Sequence, residues 1–137
     1  MFLIDTNICI YAMKGLFPSL NRRLLEEQEE IFVSSVTVGE LEYGAVKSHW
    51  GERTRQVFQA FLANFEIIPF DEMDAIHFGR IRADFSSSGT PVGAYDVMIG
   101  AQGVARNLTV ITHNTKEFCC IIGLNVEDWV EETAHLS

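Results

Sequence analysis

Short apolar runs return along this chain, each followed by a segment whose apolar residues repeat with helical period. That alternation constrains the fold more than any other feature. "FLID" (2–5), "IFVSS" (31–35), "EIIPF" (66–70) and "LTVIT" (108–112) read as strands, with "LNVEDW" (124–129) a possible fifth. Between them, 7–13 reads as a short helix, and Pro18 suits the start of a helix over 18–29. Thr37-x-x-Glu40 matches a capping box opening a helix to about Lys47. Val57, Phe58, Phe61, Leu62 and Phe65 give helical period after Gly51, and Asp71 with Asp74 can cap a helix carrying Ile76, Phe78, Ile81 and Phe85. "SSSGTP" (86–91) reads as a loop, Ala94 to Arg106 as a helix stopped by Asn107, and "NTKEF" as a turn or short helix. Pro69 suggests that the third strand lies at an edge. Strands alternating with helices favour a parallel sheet covered on both faces. The expected fold is α/β: three layers, α/β/α, around a central, mainly parallel sheet of four to five strands, in one domain spanning 1–137.

Composition narrows the function. No apolar run approaches the ~18 residues of a membrane span, and the N-terminus lacks the basic and long apolar regions of a secretory signal. A cytoplasmic protein without membrane attachment is expected. Cys9, Cys119 and Cys120 make neither a disulfide framework nor a zinc motif, and His49, His77, His113 and His135 are scattered. The formal charge of −9, from 19 acidic and 10 basic residues, disfavours direct phosphate binding and fits a cation site or a basic partner better.

The carboxylates carry the chemistry. Asp5 ends a buried apolar strand, where a charge is costly unless something uses it. Glu40 follows the second strand, within the expected first helical turn, and Asp96 opens the helix after the Gly-rich loop. Asn114 and Glu117 follow the fourth strand. In a parallel sheet these ends converge on one edge, where such folds bind ligands near the switch in strand order. Each has a structural reading too: Glu40 as a capping acid, Asp96 as a partner of the helix dipole, Asn114 as a turn residue. Gly100 and Gly103 suggest close packing of their helix on the sheet, Tyr95 and Trp129 read as packing residues, and Cys9 as a small core residue. Clustered carboxylates repel unless a cation compensates. An all-oxygen set favours Mg²⁺, or Mn²⁺ as a substitute, over zinc. Such an ion suits water activation at a phosphodiester.

"FLIDTNICIYAMK", "SSVTVGELEYGAVKS" (34–48), "GTPVGAYDVMIGAQGVARNLTVITHNTKEF" (89–118) and "GLNVEDW" (123–129) together resemble the PIN-domain ribonucleases, most closely the VapC toxins of bacterial toxin–antitoxin pairs. The resemblance covers nearly the whole chain in order. It implies a PIN-like fold and a Mg²⁺-dependent endoribonuclease, often acting on tRNA. It places Asp5, Glu40 and Asp96 at the first three acidic positions, with Asp5 and Asp96 as principal metal ligands and Glu40 assisting. Glu117 and Asn114 share the fourth block, and Asn7 supports Asp5. It further implies a cognate antitoxin that blocks the site and carries the contact to operator DNA, and a homodimer. Gln102 stands where related toxins often have histidine, and His113 where asparagine is common. A haloacid-dehalogenase-type phosphatase would need a second aspartate where Asn7 stands. A binding module, catalytically silent and docking a basic partner, is the other alternative.

Overall fold

The computed structural model describes residues 1–90 and 92–131. Local sequence sets most element ends. Strand β1 (Phe2–Ile4) leads into Asp5, which caps α1 (Thr6–Lys14) by accepting from the Ile8 N–H at 2.9 Å. Gly15 closes that helix at φ 64°, a left-handed conformation open to glycine without a Cβ clash. Pro18 opens α2 (Pro18–Glu26) as expected, and one 3-10 turn (Gln28–Glu30) leads to β2 (Ile31–Ser34).

Helix α3 (Ser35–Lys47) starts before Thr37, because the Ser34 hydroxyl caps it by accepting from the Val36 N–H at 3.0 Å. The expected Thr37–Glu40 capping box is therefore not formed, and Glu40 lies beyond the first turn. After α4 (Gly51–Leu62) and β3 (Glu66–Ile68), Asp71 and Asp74 form a reciprocal capping box at the start of α5 (Glu72–Ser88). That helix continues through Ser86–Ser88, read from sequence as loop. Ser88 donates its hydroxyl back to the Phe85 carbonyl, and Gly89 at φ 71° supplies the stop. Pro91, in the same expected loop, lies outside the described residues. Helix α6 (Ala94–Arg106) ends as expected at Asn107, φ 55°. Strand β4 (Thr109–Ile111), the short α7 (Thr115–Phe118) and β5 (Val126–Glu127) follow.

The five strands run in the order β3-β2-β1-β4-β5, all parallel. Strand β3 is an edge, with Pro69 just past its end. The chain moves outward from β1 to β3, then crosses back to lay β4 on the other side of β1. Strand order therefore reverses beside β1, and the end of that strand is Asp5.

Alternation along the strands sends Ile4, Ile31, Val33 and Ile111 to one face, packed with Ile8, Leu41, Phe58 and Trp129. Leu3, Ile68 and Val110 go to the other, with Ile81, Phe85, Ile99 and Phe118. Burying each such side chain contributes roughly 1.5–3 kcal/mol, so two separate cores clamp the sheet between helical layers. The close approach expected at Gly100 and Gly103 is present: a Cβ on Gly100 would overlap Ile121, and one on Gly103 would overlap Leu124 and Val110. Among the described residues no helix is long and apolar enough to cross a membrane.

Candidate active site

Parallel register sets Ile4 beside Ile111, and the Asp5 N–H donates to the Ile111 carbonyl at 3.1 Å. Asp5 and Thr112 are therefore neighbours at the ends of adjacent strands, both buried. The Asp5 carboxylate accepts hydrogen bonds from the Ile8 N–H and from the Thr112 hydroxyl. Burial pushes its pKa up to about 6. Those two hydrogen bonds pull against the rise, and the charges of Glu40 and Asp128 add to it. Thr112 also accepts the Asn114 N–H at 2.9 Å, so one buried hydroxyl ties the Asp5 carboxylate to the turn after β4.

Glu40 is held from α1. The Thr6 hydroxyl donates to its Oε1 at 2.6 Å and lies 2.9 Å from the Thr37 hydroxyl. A hydroxyl has one proton, so Thr37 donates to Thr6 and Thr6 to Glu40. Glu117, on α7, accepts from the Asn114 side-chain amide at 2.8 Å. Asp96 lies half-buried in the first turn of α6. Its pKa rises to about 7, first through burial, then through a hydrogen bond with Glu117 and the charges of Asp5, Glu117 and Glu40.

Asp5, Glu40, Asp96 and Glu117 thus converge at the carboxyl edge of the sheet, and Asn114 joins them through Glu117. Asn7 does not: it is exposed, and the partners of Asp5 are Ile8 and Thr112. Cys9 lies fully buried in the core as expected, its thiol pushed up by burial and by the charge of Asp5. Among the described residues no three His, Cys, Asp or Glu side chains are already drawn together tightly enough to grip an ion. Mg²⁺ is commonly bound through only one or two carboxylates with waters completing its shell, and such a cation offsets the charges of Asp5, Glu117 and Glu40 that add to the effect of burial on Asp96. The donor chemistry therefore fits a hard divalent ion.

Sequence reasoning missed Thr6, Thr37 and Thr112, which hold the acids in place. Thr6 follows Asp5 directly in the sequence, which is its one local signal; Thr112 gains meaning only once β4 is known to lie beside β1. Tyr95, expected to pack, is exposed, whereas Trp129 is buried edge-on against Phe2 at 4.8 Å between ring centroids. Gln102 makes its hydrogen bonds outside the acidic cluster of Asp5, Glu40, Asp96 and Glu117, donating to the Pro69 carbonyl at 3.1 Å and to Asp74 at 3.2 Å. His113 pairs with Asp128 at 2.8 Å.

Comparison with known proteins identifies the family. The PIN domain family profile matches residues 2–120. The chain is 41% identical over 128 residues to the tRNA(fMet)-specific endonuclease VapC of Shigella flexneri, covering 93% of this chain and 97% of that one. It is 36% identical over 129 residues to ribonuclease VapC2 of Haemophilus influenzae, covering 94% and 98%. Among solved structures, the DNA-bound VapBC complex of Salmonella typhimurium superposes with a TM-score of 0.89 at 41% identity, over 93% of this chain and 97% of that one. A family match over residues 2–120, relatives at 41% and 36% identity along nearly their whole length, and a shared fold give one conclusion: the chain belongs to the PIN-domain family, among its VapC ribonucleases.

Proposed function

We propose that this protein is the toxin of a toxin–antitoxin pair, a Mg²⁺-dependent endoribonuclease that cuts tRNA and is held inactive by a cognate antitoxin. The observation that carries the reading is the convergence of Asp5, Glu40, Asp96 and Glu117 beside β1, where strand order reverses. Relatives named for tRNA(fMet) cleavage and structures of VapBC complexes support the choice of substrate and partner. Contact with operator DNA would run through the antitoxin.

Asp5 and Asp96 would hold the ion, with Glu40 assisting. When bound, Mg²⁺ or Mn²⁺ would neutralise phosphodiester charge and lower the pKa of a coordinated water. The chain's own residues do the positioning. Ile8 and Thr112 fix the Asp5 carboxylate, the Thr37–Thr6 relay fixes Glu40, and Asn114 fixes Glu117. Burial, a hydrogen bond with Glu117 and the neighbouring carboxylate charges raise the Asp96 carboxyl to about 7 in the ion-free protein. An acidic cleft of this kind attracts a basic side chain from an inhibitory partner.

The test is cleavage of a tRNA pool by the purified, antitoxin-free chain in Mg²⁺, Mn²⁺ or EDTA, with Asp96→Asn beside it. Discrete products that disappear with EDTA and with the variant are expected. Folded wild-type protein that binds an antitoxin but cuts no RNA would favour a silent binding module. Cleavage untouched by Asp96→Asn would remove the acidic cluster from the mechanism.

A further inference from the structure

Between α3 and the start of α6 lies an open cavity of about 700 Å³, lined by Val36, Gly39, Glu40, Tyr43, Tyr95 and Met98. Its size falls in the ~300–1,000 Å³ range of small-ligand pockets. Val36, Gly39, Glu40 and Tyr43 are spaced to share one face of α3, and Tyr95 and Met98 flank Asp96 on α6. The cavity is thus continuous with the acidic cluster: Glu40 belongs to both, and Tyr95 is the chain neighbour of Asp96.

Three features mark it as a place for a flat apolar group. Tyr43 is 67% exposed and Tyr95 59% exposed, and neither ring is among the aromatic pairs of the described residues. A Cβ at Gly39 would meet nothing within 4 Å, so the helix leaves the floor open. The net charge of −9 leaves little scope for binding RNA through phosphate neutralisation alone. Base stacking on aromatic rings needs no positive charge and accepts any base.

We propose, on the ribonuclease reading above, that this cavity is a nucleobase subsite in which an unpaired base next to the scissile phosphate stacks on Tyr95 and Tyr43. The subsite takes only unpaired bases, because a paired base presents no free face to a side chain.

The experiment measures binding by fluorescence anisotropy, in EDTA so that no RNA is cut. The probes are a labelled RNA stem-loop, the same stem-loop with abasic residues in the loop, and a fully paired duplex. Tyr95→Ala and Tyr43→Ala should each weaken stem-loop binding roughly 5- to 150-fold, while Tyr95→Phe retains it. Gly39→Leu, whose Cβ would meet nothing within 4 Å and whose branch would occupy the floor, should weaken it as well. The abasic loop should bind wild type as weakly as the intact loop binds Tyr95→Ala, and duplex binding should not change. Circular dichroism confirms that each variant folds. Equal stem-loop affinity for wild type and both alanine variants would overturn the subsite, as would a wild type that binds no stem-loop. So would a change in sedimentation mass with RNA affinity intact, which would make this face an interface between copies. If wild type cuts RNA and the tyrosine variants match it in both assays, the subsite fails and the ribonuclease reading stands. If folded wild type cuts no RNA in Mg²⁺ or Mn²⁺, the ribonuclease reading fails whatever the tyrosines do.

Discussion

Asp5→Asn should make the ion-free protein more stable near neutral pH while removing cleavage. In the unfolded chain Asp5 titrates near 3.8, and in the fold burial carries it to about 6 against the pull of Thr112 and Ile8. A folded pKa above the unfolded one means that the fold holds the proton more tightly. The resulting stabilisation is complete below about pH 4 and is lost as pH rises through about 6. The ionised carboxylate therefore weakens the fold by about two pKa units at ~1.36 kcal/mol each, or about 3 kcal/mol as an upper bound. Asparagine keeps the volume and is as good an N-cap, so the Ile8 hydrogen bond survives. Removing the charge should restore ~1–3 kcal/mol at about pH 8 and almost nothing at about pH 4. Asp96, raised to about 7, titrates in both proteins and extends the slope upward, with solvent screening reducing its share. The assay is urea unfolding of both proteins in EDTA across this range. An advantage for the variant that does not change with pH, or no advantage at about pH 8, would refute the reasoning, because it would mean that Thr112 and Ile8 fully compensate the buried charge.

Other substitutions separate holding from packing. Thr112→Val deprives both the Asp5 carboxylate and the Asn114 N–H of a buried partner; thermal melts should show a loss of ~1–3 kcal/mol, accompanied by a fall in cleavage. Thr6→Val frees Glu40 and leaves Thr37 without its acceptor, so cleavage rate should drop with far-UV circular dichroism unchanged. Arg106 reaches the buried Asp74 at 3.0 Å, so Arg106→Met removes that carboxylate's cation, leaving it the Asp71 N–H and the Gln102 amide, and should cost about 3 kcal/mol in urea unfolding. Among the helical glycines, Gly39 and Gly100 should respond in opposite directions to alanine: Gly39→Ala should gain up to ~1 kcal/mol in open space, and Gly100→Ala should lose ~1–3 kcal/mol against Ile121.

The local features were legible because their causes lie within a few residues. The Asp71–Asp74 box, the stop at Asn107 and the alternation of strand and helix all depend on neighbours along the chain. So does the oddity of Asp5, a carboxylate placed at the end of a buried strand. Where two local solutions competed, sequence alone did not choose between them. Ser34 and Thr37 can each cap α3, and Ser34 does so because β2 ends there. The serines at 86–88 suit a loop, yet they continue α5 until a glycine ends it.

The sequence by itself determined that the fold is α/β, which segments form it, and which carboxylates its strands deliver to one edge. Tertiary structure decided what those carboxylates touch. Thr37 and Glu40 reach Thr6 across 31 and 34 residues, and Thr112 reaches Asp5 only because β4 pairs with β1. It also left Tyr95 open beside Asp96 while burying Trp129 against Phe2. Helical and strand periods report which side of an element is apolar; strand order and register decide which elements meet, and hydrogen-bond partners follow from that meeting.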